Sequence, residues 1–565
     1  MKTLFTLFTA CLALTGALPA AAQVPAWRSA QVIAAATVAV TGSFSGVSAT
    51  AVDAAGNVYL AGFFTNSVVL GGTTLTSLGS DDVFVAKFSP VSNQVVWAQR
   101  AGGLGTDYAS ALAVSGTSVY LAGAFSGATA GFGGTSLTSA GAEDVFVAKL
   151  TDAGPTGTFV WAQRAGGTRS DVANALAVSG TSVYVAGEFN SVAADFGSVV
   201  LTGALFADVF VAKLTDAGPS GAFVWAQQAG GPRGDAATAL AVRGTSVYVA
   251  GEFNSPTADF GATALTSAGG SDVFITKLLD AGSSGSFAWA QRAGGTGSDY
   301  ATALAVSGTG MYVAGYFESA TAGFGSTTLV SGGASDAFVA KLTDAGPTGG
   351  FAWAQRAGGT GDDIASALAV SGTSVCVAGV FDSPTAGFGA TSLANANPGT
   401  RGFDVFVAKL TDAGPSGGFA WAQRAGGNSN EFTSSLAVSG TSVYVAGSFL
   451  GSTTAFGAIT LTVPPPSSRV GFLAALTDPT LTATTVAAGP REPAQLFPNP
   501  ARRTATLHRP AGTPGAPLTL TDATGRAVRR YPAPAGPEAA LDVEGLPAGL
   551  YLLRGAGPTL RLAVE

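Results

Sequence analysis

The sequence predicts an all-β fold: a seven-bladed β-propeller whose last blade is closed by an N-terminal strand, followed by a small β-sandwich. Three observations carry this prediction: one phrase recurs along the chain, its copies are evenly spaced, and each repeat contains four short β-rich runs. The phrase reads WAQRAGG, or once WAQQAGG, and begins at Trp97, Trp161, Trp225, Trp289, Trp353 and Trp421. Successive tryptophans are 64 residues apart as far as Trp353, and 68 residues separate the last two.

Each repeat contains four strand-like runs, separated by turns rich in Gly, Pro, Asp and Ser. In one repeat they read ANALAVSG from Ala173, then TSVYVAGEF, DVFVAKL and AFVWAQQAGG, with a long variable stretch between the second and third runs. Alternation of polar and apolar residues is weak, as expected of strands that pack between two neighbouring sheets. No helical periodicity competes with this interpretation.

The number of blades follows from counting the runs. The first run occurs seven times, whereas the tryptophan-bearing run follows a third run only six times. We assign the missing strand to WRSAQ at Trp27, near the N-terminus. Residues 23–478 are therefore predicted to form the propeller. The N-terminal strand would complete the last blade, so that this blade has no unpaired outer edge.

Composition and the N-terminal residues indicate an exported protein that does not bind nucleic acid. The formal net charge is −7, whereas nucleic-acid binders carry basic patches. Residues 1–22 have a lysine, an apolar core and Ala20–Ala22, the pattern of a secretory signal peptide. Its removal leaves Cys376 as the one cysteine, which is expected to be a buried apolar residue.

The repeat resembles a bacterial seven-bladed propeller repeat family called SBBP. The resemblance rests on the Ala-rich first run, on G-x-x-x-Y-V-A-G and on D-V-F-V-A-K, and it extends over residues 45–478. It implies the fold and brings no general activity with it.

The C-terminal segment differs in pattern from the repeats. Residues 479–495 read as a Pro/Thr/Ala-rich linker. Residues 496–565 contain FPNP, DATGR, LPAGLY and a short last strand, and this order resembles the C-terminal sorting domain of the type IX secretion system of Bacteroidetes. The resemblance implies recognition by that secretion machinery, passage from the periplasm through the outer membrane, and a secreted or cell-surface location.

Candidate catalytic chemistry is sparse. The single histidine, His508, lies in the C-terminal segment, so a Ser-His-Asp triad and a histidine-based zinc site are excluded from the propeller. No calcium-binding or phosphate-binding loop motif is present. Paired carboxylates, which hydrolyse or cleave glycans in many enzymes, remain open.

Acidic residues recur at two positions of the repeat, both on the face of the propeller that carries the long variable loops. One series precedes the first strand, with Ser45 as the exception, and we take it as the candidate binding face: Asp107, Asp171, Asp235, Asp299, Asp363 and Glu431. The second series opens the third strand: Asp82, Asp144, Asp208, Asp272, Asp336 and Asp404. These acids either organise Gly-rich turns or gather at the axis and hold a hard cation such as Ca²⁺; no other cofactor is expected.

Two further groups complete the candidates. A lysine near the end of six third strands, from Lys87 to Lys409, is expected to be solvated. Residues that differ between repeats are better suited to an asymmetric site: Glu188, Arg233, Arg243, Glu252, Tyr300, Tyr316 and Arg401. The expected function is a monomeric binding or adhesion scaffold for an extracellular glycan or protein, without catalysis. The alternatives are a carbohydrate-active hydrolase or lyase, and a structural surface-layer component.

Overall fold

The structure is a computed structural model that describes residues 25–36, 44–203, 205–398, 402–462, 469–481, 495–497, 501–508, 517–522, 526–533, 538–555 and 560–564. The chain divides into two compact units, Met1–Ala483 and Thr484–Glu565. Across the described residues every regular element is a β-strand. In this same part of the chain, no helix is long and apolar enough to cross a membrane.

In the larger unit, four antiparallel strands recur in order, first to fourth, and we call each such set a sheet, numbered 1 to 7. The first strands are Ser45–Val52, Asp107–Ser115, Asp171–Ser179, Asp235–Arg243, Asp299–Ser307, Asp363–Ser371 and Glu431–Ser439. The second strands are Val58–Leu70, Ser118–Ser126, Ser182–Phe189, Ser246–Phe253, Gly310–Phe317, Ser374–Phe381 and Ser442–Leu450. The third strands are Thr73–Ser89, Glu143–Asp152, Asp208–Asp216, Asp272–Asp280, Asp336–Asp344, Asp404–Asp412 and Arg469–Thr477. The fourth strands are Gln94–Gly103, Gly157–Ala165, Gly221–Ala229, Gly285–Ala293, Gly349–Ala357, Gly417–Gly427 and, in sheet 7, Ala26–Ile33.

The long variable stretch between the second and third strands folds into a short hairpin. The hairpins are Thr129–Phe132 with Thr135–Thr138, Ala193–Phe196 with Val199–Thr202, Thr257–Phe260 with Thr263–Thr266, Thr321–Phe324 with Thr327–Val330, Thr385–Phe388 with Thr391–Ala394, and Thr453–Phe456 with Ile459–Thr462. In sheet 1 the hairpin is continuous with the second and third strands, and Ala35–Ala36 pairs with it. Each of the six separate hairpins is fixed by a phenylalanine: Phe196, for example, is fully buried and packs against Phe210 and Phe223. These phenylalanines are apolar plugs beneath the hairpins.

The hydrophobic cores lie between sheets, so the sheets must stack around an axis. The core between sheets 2 and 3, for example, combines Tyr120 and Trp161 with Val183 and Phe210. Every successive pair of sheets shares such a core, and another, which contains Val58 and Tyr444, joins sheet 7 to sheet 1. The first strands contact one another in the same succession and also close the circle. The larger unit is therefore a repeat, β-propeller-like, all-strand fold.

The N-terminal strand completes sheet 7, but its register differs from the sequence prediction. Ala26–Ile33 runs antiparallel to Arg469–Thr477, and Trp27 lies opposite Leu476 while Ser29 lies opposite Ala475. In sheet 2 the corresponding pairs are Phe159 with Leu150 and Trp161 with Lys149. Trp27 therefore takes the place of the phenylalanine that lies two residues before five of the six repeated tryptophans, and it packs edge-on against Phe456 as Phe159 packs against Phe132.

A buried carboxylate ties each of sheets 2 to 7 to the sheet before it. Asp216, at the end of the third strand of sheet 3, accepts hydrogen bonds from Lys149 Nζ (2.6 Å), the Tyr120 hydroxyl (2.6 Å) and Trp161 Nε1 (3.1 Å), all in sheet 2. Its own turn contributes the backbone N–H of Gly218. Although burial alone raises it, the bonds from Lys149 and Tyr120 hold the pKa of Asp216 below its usual value. We call this arrangement the junction carboxylate.

The arrangement recurs at six places in the described chain. The lysine–aspartate pairs are Lys87–Asp152, Lys149–Asp216, Lys213–Asp280, Lys277–Asp344, Lys341–Asp412 and Lys409–Asp478, at 2.6 to 2.9 Å. The expectation that these lysines are solvated is wrong, since their side chains are only 6% to 12% exposed. Burial of an amphipathic lysine is tolerated here because its charge meets a carboxylate of the next sheet.

The smaller unit contains two antiparallel sheets around one core. One sheet contains Gln495–Phe497, Thr504–His508 and Glu538–Asp542; the other contains Ala527–Tyr531, Leu518–Thr521, Gly549–Arg554 and Leu560–Val564. Apolar residues of both sheets, such as Leu507, Leu520, Leu541 and Leu562, are almost fully buried in a common cluster. Because successive side chains of a strand point to opposite faces of its sheet, each sheet turns one apolar face towards this shared core.

Candidate functional site

The six acids predicted as a binding face are buried. Their exposed fractions are 0% or 1%, and the members are Asp107, Asp171, Asp235, Asp299, Asp363 and Glu431. Each stands at the first residue of a first strand and faces a phenylalanine across the pair, as Asp171 faces Phe189. They do not present their carboxylates to solvent.

Backbone N–H groups and a serine surround these carboxylates. Asp171 accepts bonds from the N–H of Gly167 (2.7 Å), Asn190 (3.0 Å) and Ser191 (3.1 Å), and from the Ser191 hydroxyl (2.6 Å). Asp235 is bound in the same way by Gly231, Asn254 and Ser255. The acids thus join the end of one fourth strand to the loop that follows the next second strand, which is the turn-organising role.

The second acid series explains why the repeated phrase ends in R-A-G-G. Arg164 donates to Asp144 across 3.0 Å, and the next glycine, Gly166, has a φ of +131°. A Cβ at Gly166 would lie 2.3 Å from Asp144 Oδ1 and 2.9 Å from Asp171 Oδ2. Only glycine fits between the two carboxylates in that conformation. The second glycine, Gly167, then donates its N–H to Asp171.

Burial shifts the titration of the first acid series upward. It raises the pKa of Asp107 and of Asp363 to about 6 and that of Glu431 to about 8, although backbone N–H donors oppose the shift. The pKa values of Asp171, Asp235 and Asp299 are raised for the same reason. Such groups favour the folded state when they are protonated.

This shift predicts how stability depends on pH. For an acid whose pKa is raised in the folded state, the stabilising contribution is complete below the unfolded pKa, about 4.3 for glutamate, and is lost as the pH rises through the folded value. Glu431→Gln should therefore flatten the fall in the free energy of unfolding between pH 5 and 8. Urea unfolding across this range measures the effect, with the exposed Asp259→Asn as control. Parallel pH profiles for Glu431→Gln and the unmodified protein would contradict the assignment.

Ser45 stands at the position where the other six first strands have an acid, and it makes different contacts. The Ser45 hydroxyl donates to the Ala34 carbonyl at 2.9 Å and accepts from the N–H of Gly471 at 3.2 Å. Nearby, the Arg469 guanidinium lies over the rings of Phe63 and Phe432, at 5.6 and 5.3 Å. Within the described ranges, no group of three or more His, Cys, Asp or Glu residues is arranged to hold a metal ion.

Four of the residues that differ between repeats come to equivalent places in successive sheets. Glu188 pairs with Val172, Glu252 with Ala236 and Tyr316 with Tyr300, in each case one residue inside the acid–phenylalanine pair. The Tyr300 and Tyr316 rings are stacked, with centroids 4.9 Å apart and planes 25° apart. All four side chains are half-buried.

The electrostatics show that this group extends to two residues that the sequence analysis missed. Burial first, and then the charge of Glu143, raises the pKa of Glu188. Burial and the charges of Glu143 and Glu188 raise the pKa of Tyr108 to about 12. We call Tyr108, Glu143, Glu188, Glu252, Tyr300 and Tyr316 the loop-face cluster.

Glu252, in sheet 4, stands in succession between Glu188 of sheet 3 and Tyr316 of sheet 5. Its Oε2 atom is buried and has no hydrogen-bond partner among the described residues. Burial and, next, the charge of Glu188 raise its pKa to about 8, so the group is largely protonated at neutral pH. Its charge also interacts with Tyr316, whose pKa burial raises to about 12.

A cavity adjoins the cluster at Tyr108. It has a volume of about 410 Å³ and is lined by Ser48, Phe63, Asp81, Tyr108, Ala109 and Ser110. Its wall is mainly apolar, with one carboxyl and one phenol, which is the composition of many small-ligand sites.

The remaining candidates lie elsewhere. Arg243 donates to the Tyr248 hydroxyl at 2.8 Å and approaches Asp344 at 3.4 Å, so it supports a junction carboxylate. Arg233 stands in a turn whose backbone N–H donates to Ser255, and Arg401 lies outside the described residues. Cys376 is fully buried, as expected, and burial raises its pKa to about 12, which leaves the thiol unreactive at neutral pH.

Comparison with known proteins finds distant structural likeness only. No protein-family model matches the chain, and no curated protein matches it. Solved structures similar to it include a protein from Lactobacillus plantarum, at 14% identity and a TM-score of 0.38, covering 73% of this chain and 98% of that one. The WD40 domain of Neurospora crassa Pan2 matches at 11% identity and a TM-score of 0.37, covering 78% and 91% of the two chains. With TM-scores below 0.5, these similarities bear on neither the ligand nor the activity of this chain.

Proposed function

We propose that this protein is a secreted or cell-surface seven-bladed β-propeller that binds an extracellular glycan at its loop-face cluster, without catalysing a reaction. The observation that carries the proposal is the stacked Tyr300–Tyr316 pair beside the buried carboxyl of Glu252. Aromatic faces offer a flat apolar surface for the C–H face of a sugar ring, and carboxyl oxygens bind its hydroxyl groups.

The cluster suits a neutral ligand better than a charged one. Glu252 is protonated at neutral pH and so offers both a donor and an acceptor, while Glu188 and Glu143 add negative charge nearby. A polyanion would be repelled by these carboxylates. The unsatisfied Oε2 of Glu252 supplies an acceptor that a sugar hydroxyl would satisfy.

Retention on a panel of insoluble neutral and acidic polysaccharides, followed by calorimetric titration with oligosaccharides, tests the proposal. Tyr316→Ala and Glu252→Gln should each weaken binding about tenfold, which corresponds to about 1.4 kcal/mol. Arg233→Ala, in a turn on the same face, is the matched control and should bind as the unmodified protein does. Equal retention of all four proteins, or retention of none, would contradict a glycan site at the loop-face cluster.

A second candidate function is glycan cleavage, favoured by the charge interaction between the carboxyl groups of Glu252 and Glu188. A carboxyl held protonated near neutral pH beside a second carboxyl is the arrangement of a general acid and its partner in glycoside hydrolysis. The same incubations distinguish the two functions, since new reducing or unsaturated ends would form only with a hydrolase or lyase. A structural surface-layer role would show neither retention nor cleavage.

The proposed route to the outside combines the two ends of the sequence. Residues 1–22 have the pattern of a signal peptide, and residues 496–565 have the motif order of a type IX sorting domain. The smaller unit, with its two short antiparallel sheets, provides a separately folded element for the secretion machinery to recognise.

A further inference from the structure

The junction between sheet 7 and sheet 1 lacks the charged groups found at the six junction carboxylates. Ser29 stands at the tryptophan position, Ala475 at the lysine position and Pro90 at the aspartate position. The tyrosine is kept as Tyr444, which pairs with Ala475 as Tyr120 pairs with Lys149. Three large or charged side chains are thus replaced by small ones around one tyrosine.

A cavity fills the space that these substitutions leave. Its volume is about 270 Å³, and its lining consists of Arg28, Ser29, Gln31, Phe88, Pro90, Asn93, Tyr444, Leu473 and Ala475. A second hollow of about 420 Å³ shares Gln31 and Asn93 with it and continues along Leu70 and Val95. We call the two together the seam cavity.

Asn93 is a fourth position at which the junction between sheet 7 and sheet 1 differs from the other junctions. At five other junctions a glycine holds this position, and a Cβ there would lie 2.6 to 2.9 Å from the tryptophan ring of the preceding sheet, as at Gly221 against Trp161. Here the residue opposite is Ser29, so a larger side chain fits. The turn is also shorter, with four residues from Pro90 to Asn93 against six from Asp152 to Gly157.

Tyr444 is left without the partner that its counterparts have. Tyr59, Tyr120 and Tyr248 each donate to a junction carboxylate at 2.6 Å. Tyr444 is 4% exposed, and in the described part of the chain no hydrogen bond to its hydroxyl is found. Tyr444 lines the cavity, so its hydroxyl oxygen and proton are available to a ligand there.

We propose that the seam cavity binds a carboxylate from outside the chain, carried on a short apolar group, in the place of the missing aspartate. The donors around it are the Tyr444 hydroxyl, the Arg28 guanidinium and the Asn93, Gln31 and Ser29 side chains, and no carboxylate lines it. Phe88, Pro90 and Leu473 supply an apolar wall. Within this one protein, six carboxylates already occupy the equivalent place beside a tyrosine or, with Cys376, its replacement.

The ligand chemistry has two sources, a free organic acid or the C-terminus of a peptide, and the test separates them. Calorimetric titration with acetate and benzoate examines the first source, and titration with acetyl-Ala-Ala examines the second, with its C-terminal amide as the uncharged comparison. At least one carboxylate should bind, and the amide should bind at least tenfold more weakly, because it lacks the charge that Arg28 attracts. Tyr444→Phe should weaken binding about fivefold, the size expected for one hydrogen bond.

A filled cavity provides the decisive variant. Ser29→Trp combined with Asn93→Gly restores the pair found at other junctions and should abolish binding. Tyr120→Phe is the matched control, because it removes the same hydroxyl at a junction whose carboxylate is present. The proposal is overturned if no carboxylate probe binds at 10 mM, about the weakest affinity such titration detects. It is equally overturned if the filled variant binds as tightly as the unmodified protein.

Discussion

Replacing Asp216 with asparagine should lower the free energy of unfolding of the larger unit by about 3 to 5 kcal/mol, because removing one partner of a buried ion pair leaves the other charge uncompensated. Lys149 is buried, and Asp216 is its acceptor at 2.6 Å. Asparagine lacks the charge that Lys149 requires, and its single acceptor oxygen cannot replace both carboxylate oxygens, of which one binds the Tyr120 hydroxyl and the other Trp161 Nε1. Urea unfolding at pH 7, followed by tryptophan fluorescence, measures the loss.

Two controls bound this prediction. Asp195→Asn alters an exposed aspartate in the hairpin between the second and third strands of sheet 3 and should change stability by no more than about 0.5 kcal/mol. Lys149→Met with Asp216→Asn removes both charges and should recover part of the loss, since the unpaired lysine is gone. A single Asp216→Asn variant as stable as Asp195→Asn would show that the junction carboxylates do not hold the sheets together.

Deleting the strand Ala26–Ile33 should destabilise the larger unit by at least about 5 kcal/mol. The deletion removes the Trp27 contact with Phe456 and the buried Ile33, and loss of one large buried side chain alone amounts to about 2 to 5 kcal/mol. It also exposes the edge of Arg469–Thr477, whose residues Val470–Leu476 are almost fully buried. The melting temperature and aggregation on heating are the measurements, since an open edge invites pairing with other chains.

Trp27→Phe is the control for that deletion. Five fourth strands have phenylalanine at this position, including Phe159 and Phe223, so the substitution should cost less than about 1.5 kcal/mol. A deletion variant that melts at the temperature of the unmodified protein would refute the closure, whereas a strongly destabilised Trp27→Phe would refute the register.

The repeat, the strands and their turns could be predicted because each depends on residues that are close together in the sequence. Apolar runs bounded by glycine and aspartate define the strands, and repetition fixes their order. The junction carboxylates could not be predicted in this way, because Lys149 and Asp216 lie 67 residues apart, close to one repeat length. At that spacing, sequence does not distinguish a partner in the same sheet from one in the next, so the lysines were expected to be solvated.

The register of the N-terminal strand illustrates a different limit. Trp27 suggests the repeated tryptophan, yet the residues shared with the phrase are Ala30 and Gln31, which follow Ser29. A single conspicuous side chain is a weaker marker of alignment than two consecutive shared residues, because an offset of two residues, as between Trp27 and Ser29, leaves the alternation of side chains along the strand unchanged. Aligning on that pair would have indicated that Ser29 holds the tryptophan position.

The candidate site was predictable in part. Glu188, Glu252, Tyr300 and Tyr316 stand out because they differ from their counterparts in other repeats, and the structure places them at one register position. Tyr108 occupies the same position in sheet 2, opposite Ala124, and a comparison of that position across repeats would have found it. Glu143 directly precedes Asp144 of the second acid series, at a position where other repeats have Ala207, Ser271 or Ser335, so a comparison of that position would have found it as well.

One measurement tests the closed ring most directly: formation of a disulfide between the N-terminal strand and the last third strand. Two double variants, Ala30→Cys with Ala474→Cys and Gln31→Cys with Leu473→Cys, place cysteines in adjacent facing pairs. Because facing pairs alternate between wide and close spacing, one of the two should suit a disulfide. Ala30→Cys with Ala148→Cys is the control, since Ala148 holds the equivalent place in sheet 2 opposite Ala162. The closed ring predicts that one of the first two variants crosslinks rapidly within a single chain while the control stays reduced; free thiols in both facing pairs, or equal crosslinking in the control, would contradict it.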